Sequence, residues 1–442
     1  MHIEKLPARE LVRYTLETDG KRSLPSKVRV NLDEGQYDAN INKGSIISAR
    51  VRLLPPAEPT VPGAYDFGKR AWFLGLGASG SVLGAINLEE RANGGVNIDA
   101  LRASIADHVR AAMPGRAGAI GSTLASGDRG AIAAEDAKAM RRSGLAHLLA
   151  ISGLHVTAIV MISFLLISKS LSLFPRFAFK QKVPIYAASF AALIAIFYTL
   201  LTGAQVPTIR ACIAACLILV ALILGREPFT LRLVAFGALF ILLLWPEVLV
   251  GPSFQLSFAA VTAIITLHST SFMHKLTHRR EEIWIKAVGR FLISLFLTSL
   301  VIEIVLAPIA LYHFQKTGVY GALANMIAIP LTTFVVIPTG ALALLLDILG
   351  LGGPIWWICE QSIELILRLA HYVSALPGAI TTSANITILP YIIIIVSGLW
   401  FAILQSKIRY LSMPPLLIAS VFLINTPVPI FWLLGMGGIW LL

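Results

Sequence analysis

From residue 146 onward, apolar residues run in blocks close to the 20 or so that a helix needs to cross a hydrocarbon core. Such blocks fall at 146–168, 184–202, 207–224, 233–250, 253–269, 291–311 and 331–347, with weaker or shorter ones at 355–375, 387–405, 411–425 and 428–442. They predict about eight to eleven membrane segments. Before residue 146 the period is different. Val12, Tyr14 and Leu16 alternate with Arg13, Thr15 and Glu17, and Val28, Val30 and Leu32 with Lys27, Arg29 and Asn31. Ile47, Ala49, Val51 and Leu53 likewise alternate with Ser48, Arg50 and Arg52. A period of two predicts half-buried strands of a small antiparallel sheet. With a further strand expected over 79–88, the number and spacing suit a five-stranded OB-like barrel. Ile98, Leu101, Ile105 and Val109 then lie on one stripe of an amphipathic helix over 98–113, and a second helix is expected over 131–142, stopped by Gly144. The expected fold class is a polytopic α-helical membrane protein with a small N-terminal β-rich, OB-like domain. Its parts would be an OB-like domain at 1–97, an amphipathic helical linker at 98–145, a membrane domain at 146–347 and further apolar segments at 348–442.

Composition sharpens this picture. The chain is 56% hydrophobic and only 14% charged, against about a quarter charged in soluble domains. Residues 1–145 hold 20 of the 36 Lys+Arg and 16 of the 24 Asp+Glu, so the polar part is the first third. Loop charges alternate as well. The loops 169–183 (Lys169, Arg176, Lys180, Lys182), 225–232 (Arg226, Arg232) and 270–290 (Lys275, Arg279, Arg280, Lys286, Arg290) are basic. The turns near 203–206 and 251–252 carry no Lys or Arg, and 312–320 carries only Lys316. The positive-inside rule puts the basic loops in the cytoplasm and residues 1–145 on the outer face. The opening MHIEKLPARE is polar and is no secretory signal. Cys212, Cys216 and Cys359 lie in apolar stretches and imply no disulfide framework.

Candidate chemistry comes from polar groups in unusual places. Arg13, Lys27, Arg29, Arg50 and Arg52 share the outward strand faces, with Tyr14, Tyr37, Tyr65, Phe67 and Trp72 nearby. That set suits a single-stranded nucleic acid, with the backbone on the cations and bases on the rings; a merely solvated face is the alternative. Within the apolar blocks, Glu303 is the deepest ionisable group and is expected to face a helix contact, since a carboxylate lines an anion path badly. Arg210 falls in the first turn of its block, where snorkelling to the outer interface would account for it. His147 and His155, eight residues apart, would sit on one helix face about 12 Å from each other, too far for one metal ion. His274 and His278 have zinc-pair spacing but no third ligand, and read as part of a basic loop. Ser152-Gly153, Pro308, Pro330 and Pro338 interrupt blocks and favour a translocation path lined by broken helices, although membrane helices also tolerate Pro and Gly. No HxH or HExxH motif, Walker loop or GxSxG elbow with candidate partners is present, and GLGASG (75–80) is a weak phosphate cradle. The chain is therefore expected to be no enzyme, with no metal and no cofactor.

Five ordered stretches carry a resemblance. They are GDRGAIAAEDAKAMRRSGLAHLLAISGLHV (127–156), LLTGAQVPTIRA (200–211), GREP (225–228), PSFQLSFAAV (252–261) and PIALYHFQKTGVYGALANMIAIPL (308–331). Together with RVRLLPPAEPTVPGAYDFGKRAWFLGLGASG (50–80), they resemble the ComEC competence-protein family over about residues 9–345. The resemblance implies a multi-pass protein of the bacterial inner membrane that takes up transforming DNA as a single strand. It implies that Asp128 and Arg129 organise the junction before the bundle, and that Ser152, Gly153 and His155 shape a broken first helix. Arg210, Gln255, Ser257, His313 and Asn325 would line or brace the path. Partners would be single-stranded DNA, the lipid bilayer, other competence proteins and a separate nuclease. Members commonly begin with membrane helices and many end with a metallo-hydrolase domain; neither is present here, so a fragment, a mis-started frame or a decayed gene is expected. A secondary transporter of a small molecule and a non-functional remnant of the channel are the competing readings.

Overall fold

The structure is a computed structural model that describes residues 2–424, apart from 7, 9, 20–23, 39–40, 42–43, 59–66, 92–97, 175–182, 279, 383–386 and 405. The expected segment at 428–442, the loop residues Arg176, Lys180, Lys182 and Arg279, and Tyr65 lie outside the described residues. The chain forms two compact units, one of residues 1–137 with 200–203 and one of 138–199 with 204–442.

In the first unit, strands β1 (His2–Leu6), β2 (Leu11–Glu17), β3 (Lys27–Asp33), β4 (Ile46–Leu54) and β5 (Ala78–Glu90) form one sheet, with helix α1 (Phe67–Phe73) between the last two. Their spatial order is β1-β2-β3-β5-β4. The period-two pattern buries Val12, Tyr14, Val30 and Leu32 around Ile41, with Ile47, Val51 and Leu53 packed against them. Strand β1 was not legible in the pattern; it pairs with β2, and only Ile3 reaches this core. Nor is the sheet wholly antiparallel, because β3 and β5 run parallel from Val28 opposite Ala78 to Asn31 opposite Ser81. The long connection through β4 and α1 permits that parallel return, which a tight hairpin cannot make. Helices α2 (Ile98–Ala112), α3 (Arg116–Ser126) and α4 (Ala134–Arg142) follow. Of the expected α2 stripe Val109 is buried, whereas Ile98 and Leu101 remain exposed. Helix α3 buries Ala117, Gly118, Ala119, Ile120, Gly121, Ser122 and Thr123. Small side chains give no amphipathic signature, so this helix left no pattern to read.

The second unit is mostly helix: α5 (Gly153–Ser172), α6 (Val183–Leu201), α7 (Val206–Ile223), α8 (Leu231–Leu244), α9 (Pro252–His268), α10 (Ser271–Thr277) and α11 (Trp284–Phe314). Then come β6 (Lys316–Gly318), α12 (Gly321–Leu331), α13 (Ile337–Leu346), α14 (Gly353–Ala375), β7 (Ile380–Thr382), α15 (Ile388–Ile403) and α16 (Met413–Ile424). Among the described residues, five helical stretches are long and apolar enough to cross a membrane, or six if the pair α9–α10, bent by 79°, makes one span. That is fewer than the eight to eleven expected. Helices α8 and α15 have 14 and 16 residues and, at 1.5 Å per residue, fall short of a hydrocarbon core of about 30 Å. Several long apolar helices nonetheless make this a multi-pass membrane protein.

The expected breaks also resolve differently. Residues 146–149 form a separate 3₁₀ turn and α5 begins only at Gly153, so His147 and His155 do not share a helix. Helix α11 continues straight through Pro308 over 31 residues. After Pro330 the chain passes through a π turn at Thr332–Val336 and into α13, one apolar run over Gly321–Leu349. A wider turn re-pairs backbone groups where proline removes a donor, so the run continues without ending. In α5, α6 and α7, Val156, Val160, Ala188, Ala191, Ala195, Ala215 and Leu219 pack into one core.

Candidate nucleic-acid interface

Strand register brings the expected cations of the first unit onto one sheet face. Arg13 stands opposite Asn31, Asn31 opposite Ser81 and Ser81 opposite Arg52. In the neighbouring row Thr15, Arg29, Ser79 and Leu54 are opposite one another, and Lys27 faces Glu17 at the edge. Arg50 falls at the register shift between Ala49 and Val51 and is exposed. A cleft of about 580 Å³ lies on this face, lined by Arg13, Arg29, Asn31, Leu54, Phe67, Ser79 and Gly80. Arg13 is partly spoken for, since its Nε donates to Asn31 Oδ1 at 3.1 Å and its Nη1 to Glu4 at 3.2 Å.

The expected rings are mostly elsewhere. Tyr14 points to the opposite, core side and is fully buried, and Tyr37 is packed against it. Burial, with smaller contributions from Tyr37 and Asp38, pushes the Tyr14 hydroxyl up to about 12. Phe67 lines the cleft, and Trp72 is 77% exposed with Phe73 edge-on at 5.2 Å. Stacking capacity near the cations thus rests on α1 and not on β2.

Asp128 organises a turn. Its Oδ1 accepts from Gly130 N–H at 2.9 Å, its Oδ2 from Arg110 at 3.3 Å, and its carbonyl from Thr123 at 2.6 Å. Arg129 is exposed beside it. Gly127, in the left-handed region with φ +80°, lies against the Thr202 carbonyl, and a side chain there would strike it. Arg102 holds the same stretch, donating to the carbonyls of Leu201 at 2.7 Å and Leu200 at 3.1 Å.

In the second unit Ser152 caps α5 together with His155, whose Nδ1 is 3.0 Å from both Ser152 N and Oγ. Gly153 opens that helix. Arg210 does not snorkel; it is 7% exposed and donates through Nη2 to the carbonyl and hydroxyl of Ser253 at 2.8 and 2.7 Å. Gln255 and His313 meet. Gln255 Oε1 lies 2.6 Å from both His313 Nε2 and the Tyr391 hydroxyl, while its Nε2 donates to the Leu249 carbonyl. A carbonyl oxygen only accepts, so both partners donate and the His313 proton is on Nε2. Tyr312 stacks on Tyr391 at 4.0 Å. Neither tyrosine was a sequence candidate, though Tyr391 is the one tyrosine in the apolar block 387–405. Ser257 is half-buried on α9, and Asn325 on α12 has a buried Oδ1 without a partner. Glu303 meets its expectation, because its two oxygens accept from Gly321 N–H at 3.1 Å and Ala322 N–H at 2.7 Å at the start of α12. No group of three or more His, Cys, Asp or Glu that could hold a metal occurs among the described residues.

A polytopic helical unit following a small basic sheet is the class of protein these observations define. The chain belongs to the Competence protein family, whose model matches residues 124–408. It is 27% identical to ComE operon protein 3 of Bacillus subtilis (strain 168) over 330 residues, 74% of this chain and 39% of that protein. It is 26% identical to Competence protein ComA of Neisseria gonorrhoeae over 332 residues, 73% and 45% of the two chains. Recombination protein 2 of Haemophilus influenzae is 26% identical over 276 residues, covering 62% and 33%. The chain therefore spans less than half the length of these relatives. No solved structure matches.

Proposed function

We propose that this chain serves natural competence as an inner-membrane component for the passage of single-stranded DNA. The observation that carries the reading is the cluster of Arg13, Arg29, Lys27 and Arg52 on one sheet face, beside a cleft that Phe67 helps to line. Cations at sheet spacing track a phosphate backbone, and a nearby ring can stack a base. In this reading residues 1–97 form an OB-like domain, which the strand order and the parallel β3–β5 pair support, and this domain lies on the periplasmic side. The bundle provides the path, and other competence proteins with a separate nuclease complete the system. Glu303, the group on which a small-molecule transporter would most depend, is engaged at a helix end, so no observation favours that alternative.

The test is oligonucleotide binding by the purified full chain in zwitterionic detergent. Affinity for a short oligothymidylate should fall with salt at a log–log slope of about −0.7 per phosphate contact. Arg29→Ala with Arg52→Ala should flatten the slope by about 1.4 and weaken binding. A folded wild-type chain that binds no oligonucleotide at low salt would remove the basis for the proposal.

A further inference from the structure

Arg210 is the fifth residue of α7 and has most of its hydrogen-bonding capacity unused. Only Nη2 has partners, both on Ser253, while Nε and Nη1 are buried and unpaired. No ion pair among the described residues includes it. A guanidinium withdrawn from water without a counter-ion is unfavourable, and an anion that accepts the remaining N–H groups reverses the penalty. Thr208, two residues earlier, is also fully buried, and its hydroxyl has no partner.

The surroundings suit negative charge. Helices α7 and α9, of 18 and 17 residues, both begin here, since Ser253 is the second residue of α9. Neither start has a side-chain cap. The first-turn N–H groups beside Pro207 and Pro252 donate no bond to the side chain of the cap residue, and each helix dipole places partial positive charge at that end.

We propose that Arg210, Ser253 and the uncapped starts of α7 and α9 form a subsite for one phosphodiester group of a passing DNA strand, shut in this structure and opened by the strand. This rests on the DNA-passage reading and says where in the bundle the backbone is held. Held as they are through the Arg210–Ser253 contact, the two helix starts leave guanidinium donors unpaired. Parted around a phosphate, they release Nη2 from Ser253, and Nη2 with its neighbour Nε or Nη1 presents the fork that matches phosphate oxygens. The strand therefore binds the parted arrangement better and shifts the population toward it. A single cation holds each phosphate weakly enough to release it onward.

The experiment uses the full chain carrying Arg29→Ala and Arg52→Ala, so that residual binding of labelled oligothymidylate reports the bundle. Adding Arg210→Gln should weaken that binding about tenfold and flatten the salt slope by about 0.7, whereas Arg210→Lys should keep the slope. Hydrogen exchange on the wild-type chain needs no variant: amides at 206–210 and 253–256 should exchange more slowly with oligonucleotide present. The subsite is overturned if Arg210→Gln changes neither affinity nor slope, or if exchange there does not respond. It is also overturned if phosphatidylglycerol, and not the oligonucleotide, gives the Arg210-dependent response. Loss of all binding by the wild-type chain sinks the DNA-passage reading itself; loss only in the Arg29→Ala, Arg52→Ala background sinks the subsite alone.

Discussion

Glu303 offers a direct measure of what a carboxylate does inside this bundle. Its two oxygens accept from the N–H groups of Gly321 and Ala322 at 3.1 and 2.7 Å, where Tyr320 gives α12 no side-chain cap. Hydrogen bonds to a charged acceptor contribute about 1.5–3 kcal/mol each, and charge at a helix start adds up to about 2 kcal/mol in partly buried geometry. Desolvating the carboxylate offsets part of this, which leaves about 3 kcal/mol for Glu303→Ala. Glu303→Gln keeps the size and one acceptor, and should cost about 1–2 kcal/mol. Gly321 is tied to the same contact, because a Cβ there would come within 3.0 Å of Glu303 Oε1. Gly321→Ala should therefore displace the carboxylate and resemble Glu303→Gln. The assay is reversible unfolding in mixed micelles titrated with sodium dodecyl sulfate, followed by helical circular dichroism. Glu303→Ala within about 0.5 kcal/mol of wild type would refute the capping role. Equal losses for Glu303→Gln and Glu303→Ala would show instead that the charge, not the acceptor geometry, is what counts.

Two further predictions concern the first unit. Tyr14 is fully buried, its hydroxyl has no partner, and burial pushes it up to about 12. Between pH 10 and 12 the folded unit then holds a proton that the unfolded chain releases, so stability is complete below pH 10 and falls across that window by at most about 2–3 kcal/mol. Tyr14→Phe should be neutral or stabilising at pH 7 and should lack this alkaline loss; pulse proteolysis with an alkali-tolerant protease at pH 9 and 11.5 compares the two, and equal losses would count against it. If the first unit lies outside, a cysteine at Glu58 should be labelled by an impermeant maleimide in intact spheroplasts and one at Arg280 spared, in a chain with Cys212, Cys216 and Cys359 replaced; the reverse pattern would overturn the orientation.

What the sequence made legible followed from local periodicity. Strands β2 to β5 appear where alternation runs from Val12 to Leu53 and over 79–88, because one face is buried and each side chain reports it. Helix α3 escaped because its buried face is alanine, glycine, serine and threonine, whose packing depends on close approach and not on apolar bulk. The site shows the same division. Register alone decides that Arg13, Arg29 and Arg52 share a face, and alternation predicts register. The pairing of Arg210 with Ser253, 43 residues away, and of Gln255 with Tyr391, 136 away, is tertiary and has no local signature. Alternation already sets Tyr14 with Val12 and Leu16 on the side opposite Arg13, and there it is buried, because successive strand residues point to opposite sides.

Sorting the polar side chains of the bundle by what they touch separates two kinds of work. Glu303 holds the start of α12, Gln255 ties His313 to Tyr391, and His268 Nε2 lies 3.1 Å from the Thr298 hydroxyl between α9 and α11. These groups join helices and are spent in doing so. The Arg210 guanidinium, the hydroxyls of Thr208, Ser168, Thr266, Thr332 and Thr333, Asn325 Oδ1 and His155 Nε2 are different, since each includes a buried polar atom with no partner among the described residues. A bundle whose polar residues served packing alone would pair them or replace them by apolar groups, because a buried unpaired donor or acceptor is costly. A path lined for a polar strand and shut in its absence must hide such atoms. On the DNA-passage reading, such unpaired groups are the ones left for the strand, and the paired groups are the frame that holds the helices around it.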